Sequence, residues 1–392
     1  MRSFFKKFRL IINIIFFVIL SLTIFLVAFF YYKKTSSQIN SLNFDKNKVD
    51  ETLKKINNEL KNLKPQDQYK INKELESKVK SIETTYTKAV SAYEKLLDLK
   101  IVTKKTEKFD SAFASILTLL SERNYSSAEA DLLTFEKEIV TEKQKIFASF
   151  QIPVNVPENN TPPGSGYSSQ VVKSDVGDFL VGIIAADLNS TRVIVDTASD
   201  SDCRNDCPVL SLGDYVSRSG AFAGINGSYF CPADYPSCSD KKNSFDTLAM
   251  NKNKKYLNSD NNVYSTVPAV IFSGNSARFV GQSLEWGRDT GVDAVLAMQP
   301  LLVSGGNIAF NGDGEPKRGS KGNRSFVGAS GSTAYIGIVF NATVAEAAHV
   351  LDTMGIQNAL NLDSGGSTAL WSGGYKAGPG RNLPNVLLFV RK

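Results

Sequence analysis

The spacing of apolar and polar residues changes character several times along the chain. Leu10 to Tyr32 is a run of 23 residues without a charge, mostly Ile, Phe, Leu and Val, apolar on every face. As a helix it would reach about 34 Å, against a hydrocarbon core of about 30 Å. That pattern predicts a membrane span rather than a buried core helix, with Asn13 near its start as the one costly residue. Residues 36–150 then contain one proline, Pro65, no glycine, and abundant Lys, Glu, Asn and Leu. Such a composition favours helix almost throughout. Pro65 is expected to separate a helix near 44–63 from a longer one near 66–99. Phe109, Phe113, Ile116, Leu117 and Leu120 follow one helical stripe, and Tyr125, Ala128, Leu132, Phe135 and Ile139 step by 3 and 4 like an a/d seam. A turn near Arg123-Asn124 would join them into an antiparallel hairpin. Helices packing on each other or on a second copy account for both stripes, so residues 35–150 read as a helical, coiled-coil-like stalk that spaces something from the membrane.

Residues 151–166 hold four prolines and two glycines with a single charge, the mark of an extended linker, set here at 151–167. From about 168 the pattern becomes short β-like runs with turn signals between them. Phe179–Asp187 and Thr191–Asp196 flank Leu188-Asn-Ser as a hairpin-like pair. Ala221–Ile225, Val267–Phe272, Ala334–Phe340 and Asn385–Val390 are further strands. The clearest helix is Val344–Thr353, capped by Thr343 with Glu346 three residues on and stopped at Gly355. The fold expected for 168–392 is therefore an α+β, mixed-sheet domain of about 225 residues, large enough for its own core. It follows a transmembrane helix in residues 1–34 and an all-α stalk.

Charge sharpens the placement. Of the 45 Lys and Arg, six lie in residues 1–34 with no acid, which leaves 39 bases against 39 acids for the rest of the 392 residues. A folded part of zero balance argues against nucleic acid as a partner. Four basic residues precede the apolar run and two follow it, so the N-terminus is expected in the cytoplasm and everything beyond residue 34 outside it. The run is too long for a cleaved signal peptide and offers no small-residue cleavage site, which leaves a signal-anchor. Tyr31 and Tyr32 suit an interfacial belt. Cys203, Cys207, Cys231 and Cys238 cluster within 36 residues; outside the cytoplasm they read as two disulfides, with three connectivities open. Their C-x3-C and C-x6-C spacings fit zinc patterns poorly. The single histidine, His349, lies off the apolar stripe of its helix, and having only one removes most Ser-His-Asp and Cys-His schemes.

Three segments carry residues of the wrong type for plain scaffolding: Gly224-Ile-Asn-Gly-Ser-Tyr-Phe230, Asn361-Leu-Asp-Ser-Gly-Gly-Ser-Thr368 and Gly380-Arg-Asn-Leu-Pro-Asn385. Taken singly, each reads as a turn or a scaffold loop. In order, and with Gln299-Pro-Leu-Leu-Val-Ser-Gly-Gly and Arg324-Ser-Phe-Val-Gly between them, they resemble the phosphodiester glycosidase family over roughly 170–392. Ser364 and Ser228 stand where that family usually has glycine, and the usual His-Pro before Arg324 is missing.

The resemblance implies a sugar C1 linked to a phosphodiester, with hydrolysis releasing the sugar. A phosphodiester is an anion with paired oxygens, for which guanidinium groups are natural clamps, and Arg324 and Arg381 are placed there. Gly365 and Gly366 would let backbone N–H groups approach, with Ser367 and Thr368 adding hydroxyls to an anion nest. Asp363 is the carboxylate expected to activate water, act as nucleophile or stabilise the oxocarbenium. Asn226, Gly227, Asn361 and Asn385 would bind substrate or hold the Asp363 loop. Tyr229 and Phe230 would form a sugar platform or pack in the core. A second carboxylate stays open among Asp246, Glu285, Asp313 and Glu315. No metal or other cofactor is called for, although a divalent cation near Asp363 has room. The whole reads as a membrane-anchored, extracytoplasmic hydrolase of envelope or surface glycans, exopolysaccharide included. Its partners would be a carbohydrate or phosphoglycan, the bilayer, and a second copy if the stalk oligomerises. The alternative is a non-catalytic glycan-binding module of the same fold.

Overall fold

A computed structural model describes residues 2–64, 67–260 and 266–392, without the side chains of 2–17 and 67. The first residues of the expected span, Leu10–Phe17, therefore have no described side chains, and the expected break at Pro65 lies outside the described residues. Helix α1 (Arg2–Leu63) is continuous, and its Val18–Leu63 part is long and apolar enough to cross a membrane by length and composition. Next come α2 (Asp67–Val102), α3 (Glu107–Ser121) and α4 (Tyr125–Ala148). The chain divides into two compact units, 1–83 and 84–392, so the boundary falls within α2. Residues 84–150 share a unit with the C-terminal domain.

Within the second unit, α3 and α4 form the antiparallel hairpin that the stripes predict. Arg123 turns the chain at φ 62°, and the Asn124 side chain caps α4 by accepting from Ser127 N. Phe109, Phe113, Ile116, Leu120, Ala128, Leu132, Phe135 and Ile139 are buried together with Leu96 and Leu99 of α2. Leu117 of the predicted stripe faces outward instead. The linker is not free: Asn159 N and Val171 N pair with backbone oxygens across to the first strand, and the Gln170 side-chain amide donates to Asn159 and Thr161 carbonyls.

The C-terminal domain is α+β, in chain order β1 (Gly166–Ser174), β2 (Gly177–Asp187), β3 (Thr191–Thr197), α5 (Leu212–Ser219) and β4 (Ala223–Asn226). Then follow β5 (Ala249–Met250), β6 (Tyr256–Leu257), β7 (Ala269–Ser273), β8 (Ser276–Val280), β9 (Ala294–Ala297), β10 (Leu301–Ser304) and β11 (Asn307–Ile308). The chain closes with α6 (Pro316–Gly319), β12 (Gly322–Ser330), β13 (Thr333–Ala342), α7 (Val344–Thr353), β14 (Asn358–Asn361), β15 (Leu370–Ser372), β16 (Tyr375–Ala377) and β17 (Asn385–Arg391). Among the described residues three sheets result, ordered β1-β2-β13-β12-β14-β10-β11, β16-β15-β4-β17-β3 and β6-β5-β9-β7-β8.

Every pairing between these strands is antiparallel, which corrects the mixed-sheet expectation. Tight turns such as Gly331 between β12 and β13 favour antiparallel neighbours over long crossovers. The hairpin expected of β2 and β3 does not form either. β2 pairs with β1 and β13, whereas β3 pairs with β17 in a second sheet. Leu188 is buried while Asn189 and Ser190 are exposed, and the chain passes there from one sheet to another instead of turning back in a hairpin.

The seven-stranded sheet buries both faces, one residue up and the next down. Ile184, Ala186, Val327, Ile336, Ile338 and Leu360 meet the five-stranded layers. On the other face, Val181, Ile183, Phe326, Val339 and Ala359 meet α7 through Val344, Ala347, Ala348 and Leu351. α7 carries the predicted capping box and bounds, and Gly355 follows at φ 74°. Gly337 is needed in β13, because a Cβ there would stand 2.6 Å from the Gly182 carbonyl and 2.7 Å from the Phe326 ring. The cysteines pair locally, Cys203 with Cys207 and Cys231 with Cys238.

Candidate active site

The Asp363 segment is where the chain leaves the seven-stranded sheet at β14 and enters a five-stranded one at β15. Both layers grip it there. Leu362 N donates to Ser325 O at 2.9 Å, and Asp363 N donates to Gly227 O at 3.0 Å, just past the end of β4. Asn226, fully buried, ties the junction together. Its Nδ2 donates to the Asp363 carbonyl at 2.6 Å, and its Oδ1 accepts from Ser325 Oγ at 2.9 Å and Ala369 N at 3.1 Å. These hydrogen bonds run from the end of β4 to the Asp363 loop, to β12 and to the start of β15. Asn385 clamps the residues just after β4 in a similar way. Its Oδ1 accepts from Ser228 N at 2.8 Å, and its Nδ2 donates to Ser228 Oγ at 2.9 Å. A Cβ on Gly227 would collide with Asn385 at 1.9 Å, so Gly227 fits because nothing larger does.

With the backbone thus fixed, the Asp363 carboxyl makes contacts of its own within the loop. Ser364 N donates to Oδ1 at 2.8 Å, and the Ser367 hydroxyl adds a further hydrogen bond. Desolvation dominates over these and over the nearby Arg381 and Lys317 charges, and it pushes the carboxyl up to about 6. Ser364 is extended (φ −140°), so its place needs no glycine, whereas Gly365 is left-handed at φ 66° and opens a single 3-10 turn through Ser367. The Gly380-Arg381 segment lies directly on that turn. Arg381 N donates to Gly366 O at 2.8 Å, and a Cβ on Gly366 would stand 3.0 Å from the guanidinium carbon.

The Arg381 guanidinium lies 4.9 Å over the Tyr235 ring and pairs loosely with Asp234 at 3.6 Å. Burial alone would lower its pKa, but Tyr235, Asp234 and Asp98 carry it upward, so it stays a full cation. Lys317 Nζ approaches the same Tyr235 ring at 5.9 Å. Arg324 is differently placed from Arg381. It is buried, its Nε donates to Ala342 O at 2.9 Å, and its Nη2 donates to the carbonyls of Lys317 (2.9 Å) and Ser320. Burial lowers it to about 10, against the pull of Glu315 and Glu346.

Of the remaining expected residues, Asn361 donates through Nδ2 to Gln299 O at 3.0 Å, and it is buried, as are Thr368 and Ser367. Phe230 is in the core, while Tyr229 beside it is about half exposed (49%). Glu315 caps α6, and Asp313 pairs with Arg318 at an exposed turn. Asp234, Tyr235 and Lys317 were not anticipated from sequence. The signal available was an acid next to an aromatic inside the eight-residue Cys231–Cys238 loop, and Lys317 carried none. Among the described residues, no three His, Cys, Asp or Glu side chains gather to hold a metal.

Residues 219–390 match the family described as phosphodiester glycosidase. Among solved structures, the catalytic domain of zebrafish N-acetylglucosamine-1-phosphodiester alpha-N-acetylglucosaminidase, auto-inhibited by its pro-peptide, aligns at 14% identity and TM-score 0.45, covering 60% of this chain and 87% of that one. A hypothetical protein from Synechocystis aligns at 13% identity and TM-score 0.40, covering 57% of this chain and 62% of that one, less than two thirds of its length. No curated protein matches.

Proposed function

We propose, for a chain whose residues 219–390 carry the phosphodiester glycosidase match, that the C-terminal domain hydrolyses the bond between a sugar C1 and a phosphodiester in envelope or surface glycans. The observation that carries this reading is the Asp363 carboxyl, raised to about 6 and flanked by the cations Arg381 and Lys317. A carboxylate poised near neutrality suits proton transfer. Water attacks C1, Asp363 takes the water's proton, and the C1–O bond breaks with its electrons leaving on the phosphate monoester. Arg381 and Lys317 neutralise that departing anion. Arg324 acts through the Lys317 carbonyl in α6, which it holds, and so positions Lys317. The half-exposed Tyr229 offers a face for sugar stacking.

The apolar α1 and the two disulfides support a single-pass protein with this domain outside the cytoplasm. The test is sugar release by the detergent-solubilised full chain from a panel of sugar-1-phosphodiesters, with Asp363→Asn alongside. Release by the wild type alone supports the assignment. Saturable binding without release would replace it with a glycan-binding module.

A further inference from the structure

The end of α2 and the α3–α4 hairpin press against the site just described. Ile101, in the last turn of α2, comes so near the Asp363 loop that a Cβ on Gly366 would lie 2.6 Å from its Cδ1. Asp98 accepts from the Tyr235 hydroxyl, and Glu94 Oε1 accepts from Ser237 N at 2.9 Å. Leu97 packs on the Cys231–Cys238 cluster. On the other side, Asn341 Nδ2 donates to Phe147 O at 3.0 Å and pins the last turn of α4 to the corner where Arg324 holds Ala342. Lys143 lies one turn before Phe147, on the same face of α4.

We propose that this docked helical segment completes the phosphate side of the active site, and that Lys143 together with Lys317 binds the substrate's phosphodiester oxygens. The inference rests on the phosphodiester reading above, and it adds a binding residue from outside the family match. Lys143 is partly buried and within electrostatic reach of Lys317, Arg324 and Asp98. Among the described residues neither Lys143 nor Lys317 has a carboxylate at ion-pair distance. Asp98, the acid that draws on Lys143, is committed to Tyr235. Burial lowers the Lys143 ammonium, and the Lys317 and Arg324 charges lower it further against the pull of Asp98. Lysines on α4 and α6, both beside the corner where Asn341 and Arg324 tie these elements together and neither with a carboxylate at ion-pair distance, form a site whose charge an oxyanion would balance.

The test uses the full chain in detergent, with inorganic phosphate as the probe and calorimetric titration as the readout. Lys143→Met is compared with Lys143→Arg and with Lys137→Met, an exposed lysine on the same helix. Phosphate binding should weaken at least tenfold in Lys143→Met, recover in Lys143→Arg, and stay at the wild-type value in Lys137→Met. Thermal melting of Lys143→Met should match or exceed that of the wild type, because burial and nearby positive charge already oppose the Lys143 ammonium. Phosphate affinity within twofold of wild type in Lys143→Met, or no phosphate binding by the wild type, overturns the proposal. Sugar release is followed on the same samples. Release with an unchanged KM in Lys143→Met sinks this inference and leaves the glycosidase standing. Lys143-dependent phosphate binding without any release does the reverse.

Discussion

Replacing Asp363 by Asn should remove turnover and, at neutral pH, make the protein more stable. An ordinary aspartate titrates near 3.8, and burial holds Asp363 at about 6. That interval, about two pH units at 1.36 kcal/mol each, means the folded state opposes ionisation by about 3 kcal/mol. The folded pKa lies above the unfolded one, so the cost is absent below about pH 4, grows as pH rises towards 6, and is complete above it. Asn cannot ionise. Its Oδ1 can keep the Ser364 N donor, and the Ser367 hydroxyl can turn to accept from the amide. The difference between variant and wild type should therefore be near zero at pH 4 and grow by up to about 3 kcal/mol by pH 7.5. Urea unfolding of both proteins across that range measures it through Trp286 and Trp371, the chain's two tryptophans, both in the C-terminal domain. A difference that is flat with pH, or that turns against the variant at high pH, would refute a desolvated, reactive carboxylate and make Asp363 a loop-holding residue.

The other predictions concern the same neighbourhood. With Asp363 acting as base, kcat/KM should rise with pH, reach half its maximum near 6 and level off above 7; a profile falling through that range would give the carboxyl the acid role. Asn226→Ala leaves the Ser325 hydroxyl, the Ala369 amide and the Asp363 carbonyl without their buried partner, and should cost about 3 kcal/mol or more by urea midpoint. Gly366→Ala sets a methyl against Ile101 and Arg381, so a loss of about 1–3 kcal/mol is expected. Adding Ile101→Ala should restore a good part of that loss, whereas strictly additive losses in the double-mutant cycle would deny the contact.

What could be read from sequence was local. The capping box fixed the start of α7 because Thr343 and Glu346 satisfy each other's backbone within four residues. The stripes gave the α3–α4 hairpin for a similar reason, since period alone says which residues share a face. Period does not say against what a helix packs, so docking of the α2 end on the Asp363 loop was invisible in a segment read as a spacer. The turn after β2 misled in the same way: Asn-Ser looked like a hairpin tip, and only the buried Leu188 and the partners of β3 reveal a change of sheet. At the site, the Asp-Ser-Gly-Gly and Gly-Arg-Asn segments were legible because their residue types are unusual for scaffolding. Arg324 and Arg381 were alike in sequence. They differ in space because one guanidinium is occupied by backbone carbonyls and the other lies over an aromatic ring.

The linker contacts along β1 have a consequence for how the docked helices behave. A segment joined to its own binding surface by a short, partly immobilised tether re-engages intramolecularly, at an effective concentration in the millimolar range or above. Loss of any one anchor, such as the Asp98 contact to Tyr235, would then shorten each visit of the helices without dispersing them. The wall of the site is in this sense a resident ligand of the domain, one whose occupancy is set by chain connectivity and does not fall on dilution.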